Sequence, residues 1–107
     1  MSVYGATKAG LRMFVRNWIQ DVKGSGIRIN MLSPGAIDTP SLRKAFADAS
    51  GPENVDAKVT RMGERSPLGR LGDPREIGKV AVFLASDQSS FITGVELFVD
   101  GGVAQSG

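Results

Sequence analysis

The sequence predicts an α/β fold with parallel strands, and three observations predict it. Stretches with an apolar period of three to four residues alternate with short aliphatic and β-branched runs. The two strand candidates lie far apart, with a connection long enough for a parallel crossover. Neither strand shows strict polar–apolar alternation, which is the pattern of strands covered by helices on both faces.

Each element follows from its residues. Over 3–23, Leu11, Val15, Trp18 and Val22 recur at helical steps, and Phe14 and Ile19 widen that stripe. Tyr4, Lys8, Arg12 and Arg16 form an i, i+4 row on a more polar track of the same helix. Gly24 is placed to end it as a left-handed cap. Residues 27–32 read as a strand, stopped by the turn signal Ser33-Pro34-Gly35. Residues 40–66 are less regular, with short helices expected over 41–48 and 54–65 around Ser50-Gly51-Pro52. A helix over 74–86 has a clear start. Asp73 is its N-cap, Pro74 its first residue, and Glu76 completes a capping box. Ile77, Val80, Ala81 and Leu84 form its expected buried stripe. Residues 95–99 read as the second strand, closed by the structural turn Asp100-Gly101-Gly102. The whole of 1–107 reads as one partial domain. Two strands are too few for a stable sheet, and at least one edge is left unpaired, so the chain is expected to be part of a larger sheet.

Composition narrows the function. Hydrophobic residues make up 41% and charged residues 22% of the 107, so a packed segment is expected rather than disorder. The net charge is only +2, and basic and acidic residues are interspersed, which points away from nucleic acid and from membrane surfaces. Cys and His are both absent from the sequence. That excludes a disulfide scaffold, a thiolate or imidazole metal site, a cysteine nucleophile and a Ser–His–Asp triad within these residues. No metal is expected. Proton transfer near neutral pH must then use a perturbed Tyr, Lys, Asp or Glu. No apolar run approaches the ~20 residues of a membrane span, and the first residues carry no apolar signal-peptide core. A cytoplasmic setting is expected.

The i, i+4 spacing of Tyr4 and Lys8 puts both on one helix face. An ammonium beside a phenol stabilises the phenolate and lowers its pKa. A Tyr so tuned can protonate a carbonyl oxygen or deprotonate an alcohol. Taken alone, the spacing fits a solvated surface pair better. Arg12 and Arg16 likewise read as a solvated helix face, and Trp18 as core or subunit-interface packing.

The surrounding motifs change that balance. The run Tyr4-Gly5-Ala6-Thr7-Lys8-Ala9-Gly10-Leu11 resembles the Tyr-x-x-x-Lys catalytic helix of short-chain dehydrogenases/reductases. The resemblance continues in register through Trp18, Ile27-Arg28-Ile29-Asn30, Pro34-Gly35 with Thr39, and Leu68-Gly69-Arg70-Leu71-Gly72-Asp73-Pro74. It closes on Phe83-Leu84-Ala85-Ser86-Asp87, Ile92-Thr93-Gly94 and Val99-Asp100-Gly101-Gly102. It implies the carboxy-terminal part of a Rossmann-type doubly wound parallel sheet, with the amino-terminal nucleotide-binding strands absent. It implies an NAD(P)-dependent oxidoreductase acting on a small-molecule alcohol/ketone pair. NAD and NADP are not distinguished.

By the same resemblance, Tyr4 is the proton donor or acceptor, and Lys8 binds the nicotinamide ribose and lowers the Tyr4 pKa. Pro34 and Gly35 would face the nicotinamide, the main chain at Ile37 would hold its carboxamide, and Thr39 would hydrogen-bond nearby. Residues 40–66 match the substrate loop, where Leu42, Phe46, Val59 and Met62 either line an apolar pocket or anchor the loop. The three-residue gap between Tyr4 and Lys8 differs from the longer spacing of enoyl reductases. A 3-oxoacyl-carrier-protein reductase or a sugar or steroid dehydrogenase fits. The family's glycine-rich turn, its catalytic Ser and supporting Asn have no counterpart in these residues. The 107 residues are therefore expected to be a fragment, without significant dehydrogenase activity alone. The full-length form is expected to be a homo-oligomer, a dimer or tetramer. The alternatives are a non-catalytic interaction module and one half of a split enzyme.

Overall fold

The computed structural model describes residues 3–106. Helix α1 spans Val3–Asp21, strand β1 Met31–Pro34, α2 Pro40–Ser50, α3 Val55–Gly63, α4 Pro74–Ala85 and β2 Glu96–Val99. Short 3-10 turns follow α2, α4 and β2. The two strands are parallel, pairing in register from Met31 with Glu96 to Pro34 with Val99. A single bridge between Ile37 and Gly72 extends the pairing beyond β1. The α/β class with a parallel sheet is thus present.

Several boundaries differ from the sequence expectation, each for a local reason. The first strand lies at Met31–Pro34, not over 27–32. Ahead of it, side chains stand in for the ladder. Asn30 Oδ1 accepts from Val95 N–H at 3.1 Å, and Thr93 Oγ1 accepts from Ile29 N–H at 3.1 Å. The regular ladder therefore starts only where Met31 N–H reaches Val95 O at 2.8 Å. For the same reason β2 begins at Glu96 rather than at 95. Pro34 ends β1 without disrupting it. Gly35 N–H carries the next bond to Val99 O, so Pro34's missing donor faces the other edge. Helix α1 ends at Asp21, two residues short of the expected 23, and the chain turns with Gly24 at φ 79°. Helix α4 ends at Ala85 because Ser86 is already extended.

Start signals are accurate where side chains dictate them locally. Asp73 Oδ1 accepts from Arg75 N–H at 2.8 Å, and Glu76 Oε1 accepts from Asp73 N–H at 2.9 Å, forming the capping box. Hydrogen bonds from Arg75 to Asp73 and from Arg70 to Glu76 hold each carboxyl down to about 2.

The core is small. Among the described residues, Val15, Met31 and Leu71 are the buried apolar side chains. No residue of α4 is buried, and Ala81 of the expected stripe is exposed while Ile77, Val80 and Leu84 are half-buried. Phe91, Leu68 and Val82 are also exposed. A two-stranded sheet offers too little area to cover the apolar faces of four helices. Polar contacts do much of the joining. The Arg28 guanidinium donates to the carbonyls of Leu84, Ser86, Ser89 and Ile92 at 2.9–3.2 Å, tying the end of α4 to the entry of β1.

Candidate active site

Both strands point their carboxyl ends at one cleft of about 990 Å³. Open α/β sheets bind ligands in this position. Lys8 enters it from α1, Pro34, Gly35 and Ile37 from the end of β1, and Glu96 from β2. Of the predicted site residues, Lys8, Pro34, Gly35 and Ile37 are therefore brought to one cavity. The backbone of Tyr4 lies one turn before Lys8 in α1. The Tyr4 side chain falls outside the described part of the structure.

The loop after β1 is shaped by close backbone contacts. A Cβ on Gly35 would stand 2.6 Å from Asp100 Cβ and 2.7 Å from its Cα, so only glycine lets the two strand ends meet. Asp100 is fixed in turn, its carboxylate accepting from Gly102 and Ala104 N–H at 2.9 Å. At the next bridge, Gly72 N–H bonds Ala36 O at 3.0 Å, and Asp38 N–H bonds Gly72 O at 2.9 Å. In a parallel ladder the intervening residue turns its polar groups the other way. The Ile37 N–H and C=O therefore point away from Gly72.

Thr39 has a structural task. It is the N-cap of α2, its Oγ1 accepting from Leu42 N–H at 3.1 Å, with Pro40 as first helical residue. The hydroxyl proton remains available to donate. Thr39→Ala is expected to lower stability by about 1 kcal/mol, while Thr39→Ser retains the cap. The midpoint of urea unfolding, followed by Trp18 fluorescence, measures both. An unchanged midpoint in Thr39→Ala would mean the cap contributes nothing.

The 40–66 region folds into α2 and α3, close to the two short helices expected there. Arg43 binds both oxygens of Asp38 at 2.7 and 2.9 Å, and Asp56 at 3.0 Å. It thereby links the loop after β1 to both helices. Its hydrogen bonds raise the Arg43 pKa and hold the Asp38 carboxyl below its ordinary range. Of the four apolar loop residues, Met62 lines the cleft. Leu42, Phe46 and Val59 are half-buried elsewhere, with Lys58 Nζ 5.7 Å from the Phe46 ring centroid.

Sequence reading missed one cluster in the cleft. Arg12 is not a merely solvated residue, for its guanidinium pairs with Glu96. Ser33 Oγ donates to Glu96 Oε2 at 2.8 Å. The Arg12 hydrogen bond is the main cause that lowers the Glu96 pKa, with smaller contributions from Ser33 and from the field of Lys8. No local signal announces a pair 84 residues apart. Trp18 is stacked on Phe14, centroids 5.8 Å apart, on an exposed stretch of α1.

Parallel strands with a cleft beyond their carboxyl ends are features of a Rossmann-type sheet, and comparison with known proteins gives the family. A family model described as Enoyl-(Acyl carrier protein) reductase matches residues 1–104. The oxidoreductase asL5 of Sarocladium schorii is 43% identical over 105 residues, covering 98% of this chain and 39% of asL5. The ligand-free aldohexose dehydrogenase of Thermoplasma acidophilum superposes with a TM-score of 0.85 at 34% identity, over 97% of this chain and 41% of that one. The L-sorbose reductase of Gluconobacter frateurii, solved with NADPH and L-sorbose, gives 0.82 at 31% identity, over 96% and 40%. The chain belongs to the short-chain dehydrogenase/reductase family. It spans about two fifths of the length of these relatives.

Proposed function

We propose that this chain supplies the proton-transfer part of an NAD(P)-dependent dehydrogenase/reductase acting on an alcohol/ketone pair. The observation that carries the reading is the convergence of Lys8 and the main chain at Ile37 on one cleft beyond the strand ends. The cleft fits a nicotinamide. The amide groups of Ile37 turn away from their bridge and suit a carboxamide, which needs both a donor and an acceptor. Pro34 and Gly35 form the wall beside it, whereas Thr39 does not line the cleft and caps α2. When bound, the cofactor supplies or accepts the hydride. Tyr4 gives a proton to the carbonyl oxygen or takes one from the alcohol. Lys8 holds the ribose and favours the phenolate of Tyr4.

The native protein works as a homo-oligomer in the cytoplasm. In support of the oligomer, Leu11, Phe14 and Trp18 leave an apolar face exposed on α1. The family model's description names enoyl reductases, whereas the two matched solved structures are named for sugar substrates. The three-residue gap between Tyr4 and Lys8 favours carbonyl over enoyl chemistry.

The test uses the native species carrying this sequence, isolated from its source with an antibody to residues 73–102. Its oxidation of NADH and NADPH is followed with sugar ketones, 3-oxoacyl thioesters and enoyl thioesters. Turnover of a ketone supports the proposal. Turnover of the enoyl thioester alone, or of none, would sink it.

A further inference from the structure

The functional reading above uses Tyr4 and Lys8 and leaves the Arg12–Glu96–Ser33 cluster without a task. We propose that Glu96 is a positioning residue, which through Arg12 fixes the turn of α1 that carries Lys8 against the sheet. The inference rests on the Tyr4–Lys8 reading and deepens it.

The geometry argues for an anchor rather than a chance surface pair. Arg12 stands one helical turn beyond Lys8 and two beyond Tyr4, on the same face. Its guanidinium engages both carboxylate oxygens, Nε on Oε1 and Nη2 on Oε2 at 3.5 Å. That fork restricts rotation as a single contact does not. Ser33 donates to the same carboxylate from the neighbouring strand, so Glu96 joins α1, β1 and β2. The Glu96 side chain is only 13% exposed and Ser33 6% exposed, so the carboxylate is held in place rather than swinging in water. Apolar attachment is concentrated further along the helix. Val15 is the buried residue of α1, and Ile19 packs on Gly94, where an added Cβ would stand 2.5 Å from Ile19 Cδ1. Arg12 thus anchors the half that carries the row. Lys8, Arg12, Ser33 and Glu96 all face the same cleft. The charged groups facing Glu96 are Arg12 and Lys8, both from α1, and both favour its ionised form.

The test uses the native protein that carries this sequence. The difference in tyrosinate absorbance between it and its Tyr4→Phe variant titrates Tyr4, and circular dichroism checks the fold. Lys8→Met is expected to raise the Tyr4 midpoint by about 1 unit. Glu96→Gln is expected to raise it by roughly half a unit, because the row loosens. Arg12→Glu combined with Glu96→Arg is expected to restore it. A Glu96 that acted only as a nearby charge would give the opposite sign, since removing a negative charge favours the phenolate. A lower or unmoved midpoint in Glu96→Gln, with Lys8→Met still effective, overturns the positioning role alone. An unmoved midpoint in Lys8→Met overturns the underlying reading as well. If Glu96→Gln does not fold, Arg12→Lys carries the same test, since it keeps the charge and loses the fork. A rise there supports the anchor, and no change refutes it.

Discussion

Tyr4→Phe is expected to reduce kcat/KM of the native protein by roughly 10²- to 10⁴-fold, the range of general acid–base contributions. The expectation is sharp because these residues offer few substitutes. The sequence has no His or Cys, and Tyr4 is its one phenol. Phenylalanine keeps the ring and removes only the hydroxyl, so binding should change little while the chemical step slows. A fall in kcat with a nearly constant KM is the expected signature. Lys8→Met is expected to move the pH dependence of alcohol oxidation upward by about 1 unit, because the phenolate loses its neighbouring ammonium. Steady-state rates across pH, in both directions, measure these effects. Full activity in Tyr4→Phe would remove Tyr4 from the reaction.

What the sequence made legible was local. The capping box at Asp73 and Glu76, the helical period of α1 and the turn after Val99 need only neighbours in the chain, and each is where it was expected. Of the residues that the ordered motifs single out, Lys8, Pro34, Gly35 and Ile37 reach one cleft. Strand edges were not legible. Whether Asn30 joins the ladder by backbone or by side chain depends on Val95, which lies far along the chain. The buried stripe of α4 failed for a related reason. Periodicity says which face is apolar, but not whether a neighbour covers it. Arg12 and Glu96 show the same limit for polar groups. Arg12 reads as a solvated residue until the fold brings β2 beneath it. The capping role of Thr39 was partly visible, since Thr followed by Pro40 is a helix-start signal, but a loop reading hid it.

Arg28→Met is expected to destabilise the fold by about 3 kcal/mol, a large share of what a small domain possesses. The loss comes from several charge-assisted bonds removed at once. One guanidinium serves four carbonyls, those of Leu84, Ser86, Ser89 and Ile92, and also bonds Ser89 Oγ at 3.0 Å. Two of these, Leu84 and Ser86, carry carbonyls from the end of α4, where the helix itself supplies no donor. Ser89 is only 1% exposed, so water cannot easily replace the lost donor. Methionine fills similar volume but removes every one of these charge-assisted bonds at once, leaving each carbonyl one acceptor site short although it keeps another donor: Ser89 Oγ on Leu84, Ser89 N–H on Ser86, Ile92 N–H on Ser89 and Asn30 Nδ2 on Ile92. Arg28→Lys should recover only part of the loss, because a single ammonium cannot span the same fork. Urea unfolding followed by Trp18 fluorescence measures both variants. A loss below about 1 kcal/mol in Arg28→Met would mean that water or rearranged backbone satisfies the carbonyls. The joint between α4 and the strands would then rest on its apolar contacts, which no buried residue of α4 supports.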